Sequence, residues 1–392
     1  MDELSCWLAL ARAPATNRVK TELLRRFSGV EALISHAAEI ASVPGMPAAL
    51  AGYLRRLDRR RFAKDRAWLE SSGCLVIHQG HAAYPPMLAA IDDAPIVVFV
   101  LGDPDHLSAP QVAVVGSRNP SPAGVEHAAV FSRALARLGF AVTSGLAVGI
   151  DAASHAAAMD AGGATIAVAG NGLDQVYPAA NARLAKRIET QGAMVSEFPP
   201  GVPPRGTNFP RRNRLISGLS LGVLVVEAAL HSGSLITARL AAEQGREVFA
   251  VPGSIDNPMS QGCHRLINEG AKLVESVADI VDELGVMLAT SAAYSEPAHG
   301  QSKAAENAVE VSTGDEKTIL SALGHDPATV DQLVERTGLT AENVSSILLT
   351  LEIDGYVLSA PGGMYGRAKG IESNEGNRTR RSYVPGRELS RG

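Results

Sequence analysis

"VAVVGSRNPSPAGVEHAA", residues 112–129, decides the fold. "VAVV" is a short β-branched run. Ser121 and Pro122 make a good helix start, with Ser as cap and Pro in the first turn. A strand that passes through a glycine turn into a helix is half of a β-α-β unit, and the same pattern recurs along residues 71–285. "CLVIH" and "PIVVFVLG" read as lead-in strands; "QVAVVG", "FAVTSG", "ATIAVAG", "AMVSEF", "LGVLVVE", "EVFAVPG" and "AKLV" follow. Most of these runs end in Gly or a polar turn and precede an amphipathic helix. Near-continuous apolar strands with helical crossovers predict a parallel sheet covered on both faces. The expected fold class is α/β, an extended Rossmann-like doubly wound parallel sheet with extra strands.

Outside that core the pattern changes. Residues 1–70 read as short helices, with "VPGMP" among their breaks and a basic helix in "YLRRLDRRRFAKDR", whose charge is read as a solvated face. Residues 286–312 are rich in Ala, Ser and Glu without periodicity, as in a linker. Residues 313–366 hold three helical stretches and a hairpin, "YVLSAPGGMYGR", which together spell a winged helix. Residues 367–392 form a polar, basic tail with the composition of a disordered segment. Composition narrows the class further. With 46% hydrophobic residues and 392 positions, the chain can bury a large core, and its net charge of −5 means that any polyanion site is a local patch. Three scattered cysteines fit a reducing compartment. The acidic start carries no secretion signal and the best apolar run is too short to span a membrane, so a soluble, cytoplasmic protein is expected.

The turn after "VAVV" aims backbone N–H groups and a helix start at the carboxyl edge of the sheet, where open α/β sheets bind ligands and where anions are favoured. Its spacing is not G-x-G-x-x-G, and Arg118 stands where a dinucleotide loop needs a small residue, which disfavours NAD. A phosphate held by Gly116, Ser117 and Arg118 fits instead. "SGLAVGIDAASHAA" is a second glycine-rich turn at the same edge, where Ser144, Gly145 and Gly149 would let a polymer backbone pass closely. Asp151 reads as a helix cap and His155 as a packed histidine. "GTNFPRRNRLISGLS", residues 206–220, adds Phe209, Arg211, Arg212, Asn213 and Arg214, with Arg205 just upstream. Arginines on a first helical turn oppose the helix dipole, so their placement implies an anion. Arg214, deeper in the helix, is open to a salt-bridge role, and Phe209 fits a core position as well as a base-stacking one. Asn257, Gln261 and Gly262, in a polar loop at the same edge, stand there as ligand contacts or as loop structure. There is no Walker loop, no G-x-S-x-G elbow and no metal spacing. No catalytic residue, cofactor or metal is therefore expected.

"VAVVGSRNPSPAG", "TSGLAVGIDAASHAAA", "NFPRRNRLISGLS" and "SGSLITARLAAEQGREVFAVPG" together resemble the DNA-processing protein A (DprA/Smf) family, over residues 75–285. The N-terminal helices resemble the sterile-alpha-motif-like domain of many members, and the C-terminal unit resembles their winged helix. The resemblance implies a homodimer that binds single-stranded DNA and helps to load RecA recombinase on it in natural transformation. It matches Ser117 and Arg118 to the family's phosphate-binding loop, and Arg205 through Phe209 to Arg212 to its DNA-gripping segment. Two alternatives stand beside it. A nucleotide phosphoribohydrolase would carry P-G-G-x-G-T-x-x-E, but here the lone PGG, Pro361–Gly363, lies in the wing turn. A duplex-binding regulator would read DNA through "TAENVSSILLTLEIDG", but that helix contains no Lys or Arg, and it is read instead as a surface for protein contact or self-association.

Overall fold

The computed structural model describes residues 1–40, 43, 46–290, 314–323, 327–353, 356–360 and 363–367. Most of the expected linker, the wing residues Pro361 and Gly362, and the expected tail beyond Arg367 lie outside the described residues. The chain divides into two compact units, Met1–His299 and Gly300–Gly392.

The first unit is built on nine strands: β1 (Leu75–His78), β2 (Val97–Gly102), β3 (Gln111–Val115), β4 (Ala141–Ser144), β5 (Thr165–Val168), β6 (Ala193–Ser196), β7 (Gly222–Val225), β8 (Glu247–Ala250) and β9 (Lys272–Leu273). Their order is β1-β2-β6-β5-β4-β3-β7-β8-β9. From β6 to β9 all neighbours are parallel, and the lead-in strands β1 and β2 join antiparallel at one edge. The chain winds outward from β3 in one direction as far as β6, then restarts on the other side of β3 with β7. The carboxyl ends of β3 and β7 therefore flank the switch point of a doubly wound sheet.

Alternation along the strands explains the two covered faces. In β3, Ala113 and Val115 enter one core and Val112 and Val114 the opposite one. In β2, Val98 and Val100 join the first core. Val97, Phe99 and Leu101 meet the N-terminal helices in a third cluster, with Trp7, Leu8, Leu10 and Leu23. Those helices, Glu3–Arg12, Asn17–Arg26, Val30–Ser35, Ala37–Ile40, Ala48–Arg55 and Arg59–Ser72, thus pack onto the sheet. A polar clasp reinforces them. The buried Asp65 carboxylate accepts from Arg12 at 2.7 Å and pairs with Arg61 at 3.4 Å, and both guanidiniums donate to Pro200 O, at 2.5 and 2.9 Å. The helix Val277–Thr290 runs five residues into the expected linker.

The second unit has its own core, in which Ile319, Leu323, Leu333, Val344, Leu348 and Val357 are buried. Helices Gly314–Leu323, Val330–Thr337 and Ala341–Ile353 are followed by strands Val357–Ala360 and Met364–Arg367, which pair antiparallel, and Ala328–Thr329 adds to the second of these.

Candidate nucleic-acid interface

The turn after β3 has the expected shape and an unexpected tenant. Ser121 caps the helix Pro122–Arg137 by accepting from Gly124 N at 3.0 Å. The Glu227 carboxylate, from the end of β7, then takes Ser121 N at 2.9 Å and Ser121 Oγ at 2.5 Å. The protein's own anion therefore sits at the helix start that the sequence offers to a ligand. Gly116 is pressed against the helix Ile150–Asp160, since a Cβ there would stand 2.7 Å from Ile150 Cγ1. Ser117 is buried and its hydroxyl accepts from Asn119 N at 3.0 Å. Arg118 projects, exposed, from this rigid turn.

The arginine helix begins earlier than its charge suggests, at Asn208 with Thr207 as cap residue, and extends to Leu219. Arg212 and Arg214 consequently fall in the second turn and face inward, so the dipole argument does not apply to them. Arg214 is a structural partner: it donates to Glu197 at 2.6 Å and lies 3.5 Å from Asp93. Glu197 also accepts from Arg211 at 2.8 Å, with the Arg211 guanidinium 5.6 Å from the Phe198 ring centre. Arg212 is buried, donates to Val168 O and neighbours Asp151. Burial pulls its pKa down to about 10, against the pull of Asp151 and with a smaller contribution from Arg118. Gly145 is required beneath it, because any Cβ would run into the guanidinium. Asp151 holds this turn by accepting from Gly145 N at 3.0 Å and Ala147 N at 3.3 Å. Burial pushes its carboxyl above the usual range, which Arg212 opposes. Ser144 is buried and donates to Val114 O at 2.6 Å, so it belongs to the sheet and not to its rim. His155 is fully buried against Thr165 at 2.7 Å. Burial, aided by the charge of Arg212, depresses its pKa to about 3.

Above this buried frame lies an aromatic surface. Phe209 rests on Gly170, where a Cβ would come within 2.8 Å of the ring. The Arg118 guanidinium carbon is 6.0 Å from the Phe209 ring centre, and the Tyr177 ring centre is 5.4 Å from it, tilted by 32°. Tyr177 is 46% exposed and is absent from the sequence-based candidates, although "GNGLDQVYP" follows β5 at the same sheet edge. Arg205 is exposed on the approach to the helix. Asn213 bonds Gly233 O at 3.4 Å, and Asn257 accepts from Met259 N at 2.9 Å. Gly262 N donates to Ala228 O at 2.8 Å, next to the exposed Gln261. Asn213 thus lies on the arginine helix, Asn257 in the turn after β8, and Gln261 and Gly262 at the start of the helix Gln261–Asn268. Among the described residues no three His, Cys, Asp or Glu are grouped to hold a metal, and no helix is long and apolar enough to cross a membrane.

The fold and this rim describe a class: a Rossmann-like α/β protein whose sheet edge presents an arginine and two aromatic rings over a buried charged frame. The comparisons agree at the level of family. The family described as DNA recombination-mediator protein A matches residues 75–285, and the DprA winged helix domain matches residues 303–363. Protein Smf of Escherichia coli (strain K12) is 44% identical over 311 residues, covering 78% of this chain and 80% of that protein. DNA processing protein DprA of Streptococcus pneumoniae is 50% identical over 200 residues, covering 51% of this chain and 71% of that one. The X-ray structure of DNA processing protein A from Streptococcus pneumoniae superposes with a TM-score of 0.65 at 40% identity, over 72% of this chain and 99% of that one. A structure of DNA processing protein A from Helicobacter pylori, described for its single-stranded DNA binding mode, gives a TM-score of 0.50 at 28% identity, over 55% and 96%. The chain belongs to the DprA/Smf family of DNA recombination mediators.

Proposed function

We propose that this chain binds single-stranded DNA along the carboxyl edge of its sheet, with little regard to sequence, and as a homodimer delivers the strand to RecA recombinase during natural transformation. The observation that carries the reading is the cluster of exposed Arg118 and Tyr177 about half-buried Phe209, with the guanidinium 6.0 Å and the second ring 5.4 Å from the Phe209 ring centre. Aromatic faces accept any base, and a neighbouring guanidinium takes phosphate or adds a cation–π contact, which is the chemistry of a sequence-tolerant strand grip. Arg205 and the outer face of Arg211 extend the positive track. Arg212, Gly145, Asp151 and Ser144 act beneath it as the frame that sets the height of Phe209 and Arg118. The role is binding and transfer without bond breaking. The relative from Helicobacter pylori, described as binding single-stranded DNA, supports the same reading.

A salt-titrated gel shift with several unrelated oligonucleotides tests it. If each protomer neutralises about three to four phosphates, log affinity falls against log salt with a slope of about −2 to −3. Affinities for different sequences agree within about threefold, and single strands outcompete duplex. A flat salt response, or preference for duplex, rejects the reading; release of free base from nucleoside monophosphates would point to a phosphoribohydrolase instead.

A further inference from the structure

A second basic site adjoins the arginine helix and shares Arg205 and Arg211 with the strand track. A cleft of about 390 Å³ opens between the N-terminal helices and the segment after β6. Arg12, Lys20, Glu197, Phe198, Arg205 and Arg211 line it, so four basic side chains face one carboxylate. That carboxylate is already shared: its Oε2 serves both Arg211 and Arg214. Its other oxygen, Oε1, is buried and has no hydrogen-bond partner among the described residues, and the residue is 7% exposed. Lys20 is 3% exposed, and its ammonium, with three donors, makes one hydrogen bond among the described residues, to Ala11 O at 3.1 Å. Burial, then the charge of Arg211, lowers the Lys20 pKa to about 8, while Glu197 works the other way. Buried ammonium donors and a buried lone acceptor are each costly to leave unmet.

The two deficits call for one ligand with two chemical ends. An anion would complete Lys20, Arg205 and Arg211, and a hydroxyl or amino donor would complete Glu197 Oε1. The volume falls in the range of small-molecule sites, about 300–1,000 Å³, and Phe198 supplies an apolar wall. We infer that this cleft is a receptor for a nucleotide bearing a phosphomonoester, with the phosphate on Lys20, Arg205 and Arg211 and a sugar hydroxyl or base amino group on Glu197. A free mononucleotide and the 5′-phosphorylated terminal nucleotide of a strand share that chemistry.

Calorimetric titration of the full chain with thymidine 5′-monophosphate, thymidine and inorganic phosphate tests the inference. The monophosphate binds, and thymidine and phosphate each bind at least about tenfold more weakly, because each supplies one end only. Lys20→Gln, which keeps a donor for Ala11 O, and Arg205→Ala, at an exposed position, each weaken the monophosphate at least about tenfold. Arg205→Ala keeps the test valid if Lys20→Gln fails to fold. No binding of the monophosphate, equal binding of thymidine, equal binding of phosphate, or indifference to both substitutions overturns the site. With monophosphate binding established, tighter binding of a 5′-phosphorylated oligonucleotide than of its 5′-hydroxyl twin assigns the strand terminus, and equal binding assigns the free mononucleotide. A chain that holds hydroxyl-ended oligonucleotide but no monophosphate loses this site and keeps the strand grip; the converse result loses the grip alone.

Discussion

Arginines of this interface have opposite duties, Arg214 inside the buried frame and Arg118 exposed on the rim, and the mutations that separate them are specific. Arg214 is 10% and Glu197 3% exposed at the side chain, so Arg214→Ala strips one partner from a buried pair. Such a loss costs about 3–5 kcal/mol and is expected as a lower melting temperature, with strand affinity of the surviving folded protein little changed. Arg118→Ala, at an exposed site, leaves the melting temperature nearly unaltered and weakens strand binding at least about tenfold in a gel shift. Phe209→Leu removes a stacking face worth about 1–3 kcal/mol per base and is read in the same assay. His155 gives a pH signature. Its folded pKa of about 3 lies below the ordinary 6.5, so the stability it contributes is present above pH 6.5 and is lost as pH falls towards 3. Between pH 6.5 and 5 the loss is about 2 kcal/mol. Chemical unfolding of the wild type and of His155→Gln over that interval checks it: the variant's stability falls less steeply. The sequence named Arg118 and Phe209 because an arginine at a strand-to-helix turn and an aromatic beside arginines are local signals. It was silent on Tyr177 and on Glu197 as a double acceptor, since both depend on which strand ends meet in space.

The elements explain why the frame is stiff enough for a flexible ligand. Parallel β3, β4 and β5 end within one crevice, and each ending is locked by a different device: Glu227 on Ser121, Asp151 on Gly145, and Arg212 on Val168 O. Ser121→Ala removes both the helix cap and a partner of Glu227, and thermal melting is expected to register a loss of about 1–2 kcal/mol. The strand-helix order was readable from alternating runs and glycine turns, and it fixed the parallel sheet from β6 to β9. Where the arginine helix begins was harder to read, because "GTNFPRR" contains a proline that reads as a boundary. In the structure Pro210 sits within the first turn, where its missing N–H is harmless, and the helix starts before it.

At the scale of the molecule, the first unit carries the whole rim and three cores, and the second carries one core of its own. The helix Ala341–Ile353 contains no Lys or Arg, and Leu349 on it is 59% exposed, a surface more suited to protein contact than to phosphate. Removing residues 300–392 is therefore expected to leave affinity for single strands within about threefold, as measured by gel shift at fixed salt. The antiparallel edge, where β2 shares a core with Trp7 and Leu10 and where Asp65 grips the two arginines bound to Pro200, has a consequence for handling the protein. A protease nick at the helix-to-strand bend around Gly73 would not release the first seventy residues. The severed piece would stay docked through its apolar face and its guanidinium clasp, co-elute with the remainder under native conditions, and part from it only in denaturant.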